Sequence, residues 1–178
     1  SDEACPFMGV IDTALESGVP CRIARISFSG EMAYEIYVPS DFGVHLADQL
    51  WSSAQARDGC QYGLEALGAL RIEKGHVTGA ELDGRGTIDD AGLGSMASKT
   101  KHYIGSVLNN RPELLRDDRA QLVGIFPKDR TALFNAGSLL CAEHEVSGYG
   151  EGWVTGVTYS PALGHWIGIG FISGGYTN

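Results

Sequence analysis

Residues 21–39 read Cys-Arg-Ile-Ala-Arg-Ile-Ser-Phe-Ser-Gly-Glu-Met-Ala-Tyr-Glu-Ile-Tyr-Val-Pro, and this stretch decides the first half of the fold. Residues 22–28 and 33–38 each alternate apolar and polar side chains, and Ser29-Gly30-Glu31-Met32 separates them. A period of two on both sides of a short glycine-containing turn predicts a β-hairpin. On the second strand Tyr34, Ile36 and Val38 share one face, and Ala33, Glu35 and Tyr37 the other. Glu35 is therefore a carboxylate held in a strand between two aromatic residues.

Working outward, Ser40 or Asp41 is placed to cap a helix running to about Arg57, with Phe42, Leu46 and Leu50 as its apolar stripe and Asp58-Gly59 as its end. A second helix is expected over residues 64–74, with Ala66, Leu67 and Leu70 inward and Gly75 as its C-cap. Residues 79–94 read as an acidic, glycine-rich, solvated loop, followed by short helical candidates at 93–99 and 112–117. From Gln121 onward the periodicity is two, predicting strands at 122–126, 138–142, 153–159 and 166–172, the last two joined by a turn at 160–164. In the last strand Ile167, Ile169 and Phe171 fill one face, while Gly168 and Gly170 leave the other bare, as a buried subunit interface would. The expected class is α+β: residues 1–118 form an α+β domain, and residues 119–178 a small antiparallel β-barrel.

Composition narrows the function classes. The 178 residues are 43% hydrophobic, which excludes an intrinsically disordered chain, and the 25 glycines are about twice the usual ~7%, in keeping with many turns. The net charge of −9 argues against nucleic acid and anionic membranes as partners, because the densest basic spot is only Lys99-Thr-Lys101-His102. Cys5, Cys21, Cys60 and Cys141 show no metal-ligand spacing and read as reduced thiols of a cytoplasmic protein. Glu81, Asp83, Asp89 and Asp90 lack the alternation of a calcium loop, so no metal site is expected. Gly148-Tyr-Gly-Glu-Gly152 is not followed by a helix, unlike a phosphate cradle. The N-terminus shows no basic or apolar leader pattern, and glycines with Pro161 break the uncharged tail into pieces too short for a membrane helix.

Two side chains carry candidate chemistry. Glu35 is either an edge-strand carboxylate facing water or an acceptor of two parallel hydrogen bonds from an N–H/NH₂ edge such as a pterin or guanidine presents, with Tyr34 and Tyr37 supplying aromatic surface. Arg71, in Leu70-Arg-Ile-Glu-Lys-Gly75, either receives a carboxylate-bearing tail or pairs with Glu31 or Glu65.

Arg25-Ile-Ser-Phe-Ser-Gly-Glu-Met-Ala-Tyr-Glu-Ile36 resembles the R-x-S/G-F/Y-S/T-G-E-x-x-Y/F-E segment of the aminomethyltransferase family, the T-protein of glycine cleavage and its relatives. Leu70-Arg-Ile-Glu-Lys-Gly75 resembles that family's L-R-L/I-E-x-G, and Asp90-Ala-Gly-Leu-Gly94 its x-A/G-L-G. Within the family, residues 75–85 and 154–167 look most like the C-terminal region of heterotetrameric sarcosine oxidase α subunits. The resemblance implies a tetrahydrofolate-binding module: Glu35 holding the pterin, Phe28 and Tyr34 lining the pocket, and Arg71 near the folate. It implies no catalytic residue in this chain, the family's essential aspartate being expected before Ser1. Ser95 departs from the aromatic residue that glycine-cleavage relatives carry after G-L-G. The implied activity is capture of the one-carbon unit of oxidised sarcosine as methylenetetrahydrofolate with release of glycine. Reduced folate and other sarcosine oxidase subunits would be the partners, with flavin and NAD bound elsewhere in the complex. A glycine-cleavage aminomethyltransferase, a dimethylglycine-type oxidase segment and a non-catalytic interface module stand as alternatives.

Overall fold

The computed structural model describes residues 3–141 and 150–176, so residues 148–149 of the Gly148–Gly152 run lie outside the described residues. The chain divides into two compact units, residues 1–70 and 71–178. Both combine helix and antiparallel sheet, in keeping with the expected α+β class.

In the first unit β1 (Val10–Ala14), β2 (Pro20–Ala24) and β3 (Glu35–Tyr37) form an antiparallel sheet in that order. The β2–β3 hairpin is present, pairing Arg22 with Tyr37 and Ala24 with Glu35, but it is shorter than the alternation predicts. Beyond Ala24 the backbone of Arg25 still pairs on the other edge of β2, its N–H donating to Gly9 O at 2.9 Å and its C=O accepting from Met8 N–H at 3.0 Å. These bonds continue the β1–β2 pairing past the point where the β2–β3 pairing ends.

Helix α1 (Gly43–Gln55) follows a 3₁₀ turn at Ser40–Phe42, and neither Ser40 nor Asp41 makes a capping side-chain bond, because both are taken up inside that turn. Its stripe is narrower than expected: Leu46 is buried, whereas Phe42 and Leu50 stay partly exposed. Asp58, at φ +56°, helps to reverse the chain after the helix. Helix α2 (Leu64–Lys74) has the expected bounds, and Gly75 closes it at φ +74°. Burial falls on Ile72, with Leu67 and Leu70 half-buried and Ala66 exposed rather than inward.

In the second unit β4 (Ala120–Ile125), β5 (Leu139–Leu140), β6 (Gly152–Ser160) and β7 (His165–Ser173) form an antiparallel sheet in the order β4-β7-β6-β5. This is a half-barrel: among the described residues no ladder joins β4 to β5, so the closed barrel expected from the strand pattern is seen only as an open sheet. The β6–β7 turn at 160–164 is as expected, with Gly164 N–H donating to Ser160 O at 2.8 Å. Ile72, Ile167 and Ile169, with Leu122 against them, make the core. The helical candidates at 93–99 and 112–117 shrink to 3₁₀ turns at Gly94–Met96 and Pro112–Leu114.

The glycine face of β7 is not bare. A Cβ on Gly168 would meet the Phe134 ring at 2.8 Å, and one on Gly170 would sit 2.4 Å from Trp153 O, so the chain itself covers this face. Glycine is required here because neighbours approach closer than any side chain allows. Gly170→Ala is therefore expected to destabilise the protein by about 1–3 kcal/mol through overpacking. Urea unfolding should show a lowered midpoint with an unchanged slope; a wild-type midpoint would mean that the sheet yields at no cost.

The acidic loop is also not simply solvated. Glu81 and Asp90 are 3% and 4% exposed, each paired with an arginine. Asp90 accepts from Thr87 N–H at 2.7 Å and from Arg119 Nη2 at 2.5 Å, while its backbone C=O accepts from Leu122 N–H at 2.8 Å. Asp83 pairs with Arg85, so these acids are divided among separate arginines instead of converging on one point. Among the described residues no helix is long and apolar enough to cross a membrane.

Candidate functional site

Glu35 opens β3 opposite Ala24, with its side chain facing solvent. Two residues on, and so on the same face, Tyr37 donates its hydroxyl to Glu35 Oε2. That hydrogen bond, with burial and the charge of Glu35 as further causes, raises the phenol above its ordinary value, so Tyr37 remains a donor at neutral pH. The bond fixes the carboxylate while leaving Oε1 and the second lone pair of Oε2 for an incoming N–H/NH₂ edge.

Tyr37 also connects this carboxylate to a concavity of about 880 Å³ in the same unit. Its walls include Met8, Val10, Cys21, Ala24 and Val38, and Asp12 and Arg22 pair across β1 and β2, Arg22 Nε to Asp12 Oδ1 at 2.7 Å. Both partners are exposed, so the pair orders the wall more than it stabilises the fold. Phe28 and Tyr34, placed in the site from the sequence, lie in the connection between β2 and β3 at 37% and 47% exposure. The Tyr34 hydroxyl reaches Met32 Sδ at 3.8 Å rather than Glu35. The first unit thus joins Glu35 to Tyr37, with Tyr34 and Phe28 as aromatic surface on the adjoining segment.

Arg71 opens the second unit, on the last turn of α2. Its partner is neither Glu31 nor Glu65 but Glu81: Nη1 donates to Glu81 Oε2 at 3.0 Å and to His76 O at 3.1 Å. Glu81 Oε2 also accepts from Thr78 N–H at 2.7 Å and Thr78 Oγ1 at 3.0 Å. Burial works to raise the Glu81 carboxyl, but hydrogen bonds from Thr155 and Thr78 and the Arg71 charge outweigh it, so Glu81 titrates below its usual range and is anionic at neutral pH. Burial, together with the Lys74 and Arg71 charges, pushes His76 below its ordinary value and keeps it neutral. A β-bulge at Val154/Gly156 carries Gly156 under the guanidinium, where a Cβ would stand 2.9 Å from Arg71 Nη2.

Two participants were missed as such in the sequence. Tyr37 was legible as Glu35's same-face neighbour at i+2, though not as its donor. Glu81 carried no signal, because a buried glutamate in a glycine-rich acidic run reads like its solvated neighbours.

Residues 1–101 match the family described as GCVT N-terminal domain. The sarcosine oxidase subunit alpha of Corynebacterium sp. (strain P-1) is 39% identical over 180 residues, covering 98% of this chain and 19% of that protein. The aminomethyltransferase of Cutibacterium acnes is 34% identical over 159 residues, covering 87% of this chain and 40% of its own length. The crystal structure of the glycine cleavage system aminomethyltransferase T from Bartonella henselae superposes with a TM-score of 0.77 at 22% identity, over 97% of this chain and 46% of that one. That likeness establishes an aminomethyltransferase-like fold. The chain spans less than half the length of each of these proteins.

Proposed function

Because the chain belongs to the glycine-cleavage T-protein (GCVT) family, we propose that it is the tetrahydrofolate-binding segment of a sarcosine oxidase α subunit. In this reading it takes up the one-carbon unit of oxidised sarcosine, with methylenetetrahydrofolate and glycine as products. The observation that carries the reading is the Glu35 carboxylate, solvent-facing and oriented by Tyr37 with acceptor capacity to spare. A pterin presents the matching N–H/NH₂ edge, so the donor set fits the group. The identity to sarcosine oxidase alpha subunits over 98% of the chain favours this branch over the aminomethyltransferases.

Reduced folate supplies two amines that accept a one-carbon unit. The contribution of this chain is to bind and orient: Glu35 takes the pterin edge, Tyr34 and Phe28 offer aromatic faces, and Arg71 an anionic portion. Holding the acceptor in place converts an encounter with a reactive electrophile into a unimolecular step, an effect that can supply several kcal/mol of barrier reduction. Residues 1–118 are assigned to the distal part of the folate domain and residues 119–178 to the C-terminal β domain, whose first strand starts at Ala120. Flavin, NAD and the amine-oxidising site are assigned to other parts of the complex, with its other subunits as partners. The four free thiols favour a cytoplasmic setting. The interface-module alternative loses its main support, since Phe134 and the neighbouring strand fill the glycine face of β7.

Calorimetric titration with tetrahydrofolate tests the proposal. Saturable binding of one equivalent is expected, and no heat of binding from a folded sample would overturn it.

A further inference from the structure

Charge is unevenly spread along this chain. The sequence holds 22 Asp and Glu against 13 Lys and Arg, yet residues 91–112 contain no carboxylate side chain and carry Lys99, Lys101, His102 and Arg111. Arginines on either side are spent on acids: Arg22, Arg71, Arg85, Arg116 and Arg119 each meet a carboxylate at ion-pairing distance. Among the described residues Lys99 and Lys101 meet none. Both line a concavity of about 450 Å³ that lies wholly in the second unit. The Ser98 hydroxyl accepts from Thr100 N–H at 3.3 Å and from Lys101 N–H at 3.1 Å, and this turn of the backbone sets the two lysines on one wall. Asp89 is the carboxylate on that wall, and it lies against Gly94.

Two like charges in one cleft repel each other, and their field concentrates counter-ions there. In a protein of net charge −9 the arrangement runs against the overall balance. A pair of lysines is too small a patch to follow a nucleic-acid backbone. It does suit a compact molecule with two anionic groups, because each ammonium is a point charge on a flexible stem that meets phosphate or carboxylate oxygens alike. The volume falls in the roughly 300–1,000 Å³ range of small-molecule sites, more room than one inorganic phosphate needs.

We propose that this concavity is a binding site for a small multivalent oxyanion, a molecule with two or more phosphate or carboxylate groups, held by Lys99 and Lys101. His102 lines the same wall and adds a ring nitrogen to the contact set. The site uses residues of the second unit alone and stands apart from the reading of Glu35, so each can fail without the other.

The full chain is titrated calorimetrically at low ionic strength with two probes, pyrophosphate and citrate. Saturable binding of one equivalent of at least one probe is expected; tighter pyrophosphate marks a phosphate ligand, tighter citrate a polycarboxylate. The Lys99→Gln/Lys101→Gln double variant should weaken that binding by roughly tenfold or more, the scale of hydrogen bonds to charged groups. Both lysines are exposed, so the double variant is expected to fold as wild type, and a urea melt checks it. Lys128→Gln removes a positive charge outside the concavity and should leave the affinity unchanged. No saturable binding of either probe to folded wild type overturns the proposal. So does a folded double variant that binds as wild type, and so does an equal loss in Lys128→Gln, which would make the effect one of net charge.

Discussion

Replacing Arg119 by methionine is expected to cost the protein about 3–5 kcal/mol, the range for breaking a buried ion pair by removing one partner. Asp90 has only 5% of its side chain exposed, and Arg119 meets it through Nε at 3.1–3.2 Å and Nη2 at 2.5 Å. Without the guanidinium the carboxylate keeps its bond from Thr87 N–H but loses its counter-charge in a site that water scarcely reaches. The same contact ties the 85–94 segment to the start of β4, because Arg119 Nη2 also donates to Arg85 O at 3.4 Å and Leu122 N–H to Asp90 O. Chemical denaturation gives the comparison. The Arg119→Met/Asp90→Leu double variant should recover part of the loss, since removing both charges leaves no uncompensated charge, only the Thr87 N–H without its acceptor. A single variant within about 0.5 kcal/mol of wild type, the spread for ordinary surface changes, would show the pair to be dispensable.

The pair also shapes the acid limb of the stability curve. Burial acts to raise the Asp90 carboxyl, yet the Arg119 and Thr87 bonds prevail and hold it below its ordinary value. A carboxyl depressed in the folded state stabilises above its unfolded pKa and loses that contribution as pH falls through the folded value. Glu81 acts in the same direction, and His76, held neutral below its ordinary value, adds a loss that begins nearer pH 6.5. The thermal midpoint should therefore decline from about pH 6 downward, and the steepest fall, below about pH 4, should be shallower in the Arg119→Met/Asp90→Leu variant.

What the sequence revealed tracks how local each feature is. The bounds of α2, the Gly75 end and the β6–β7 hairpin follow from periodicity and turn residues a few positions apart, and all three are present. The hairpin at residues 21–39 was legible, but the third strand that extends it was not, because β1 and the Met8–Gly9 segment pair with β2 on its other edge, and that pairing, 16 or more residues away at Arg25, leaves no mark in the hairpin's own alternation. The partners of Asp90 and Arg71 lie 29 and 10 residues away, in segments with no pattern to announce them. Gly168 and Gly170 were read as a bare face because a strand's own sequence does not show what crosses it, in this case Phe134 and Trp153 O. At the candidate site the alternation placed Glu35 beside aromatic residues. The donor role of Tyr37 depends on side-chain geometry, which alternation does not encode.

Glu35→Gln is expected to weaken tetrahydrofolate binding by about 1.5–3 kcal/mol, roughly 10- to 150-fold, and to leave folding stability within about 0.5 kcal/mol of wild type. The two halves of this expectation have one cause. Glu35 is exposed, and among the described residues its hydrogen bond is to the equally exposed Tyr37, so the fold draws little from its charge. A carboxylate accepting from both N–H and NH₂ of a pterin makes two charge-assisted bonds. Glutamine keeps one acceptor and turns the other position into an NH₂ that faces the ligand's own donor. Tyr37→Phe removes only the bond that orients Oε2 and should cost less, about 1 kcal/mol of affinity. Paired calorimetric titrations and urea melts on wild type and both variants measure the split directly. Unchanged affinity in folded Glu35→Gln would sink the pterin assignment, and equal losses of affinity and stability would make Glu35 a structural residue. Affinity lost at constant stability, with Tyr37→Phe intermediate, would mark a carboxylate kept at the surface for its ligand.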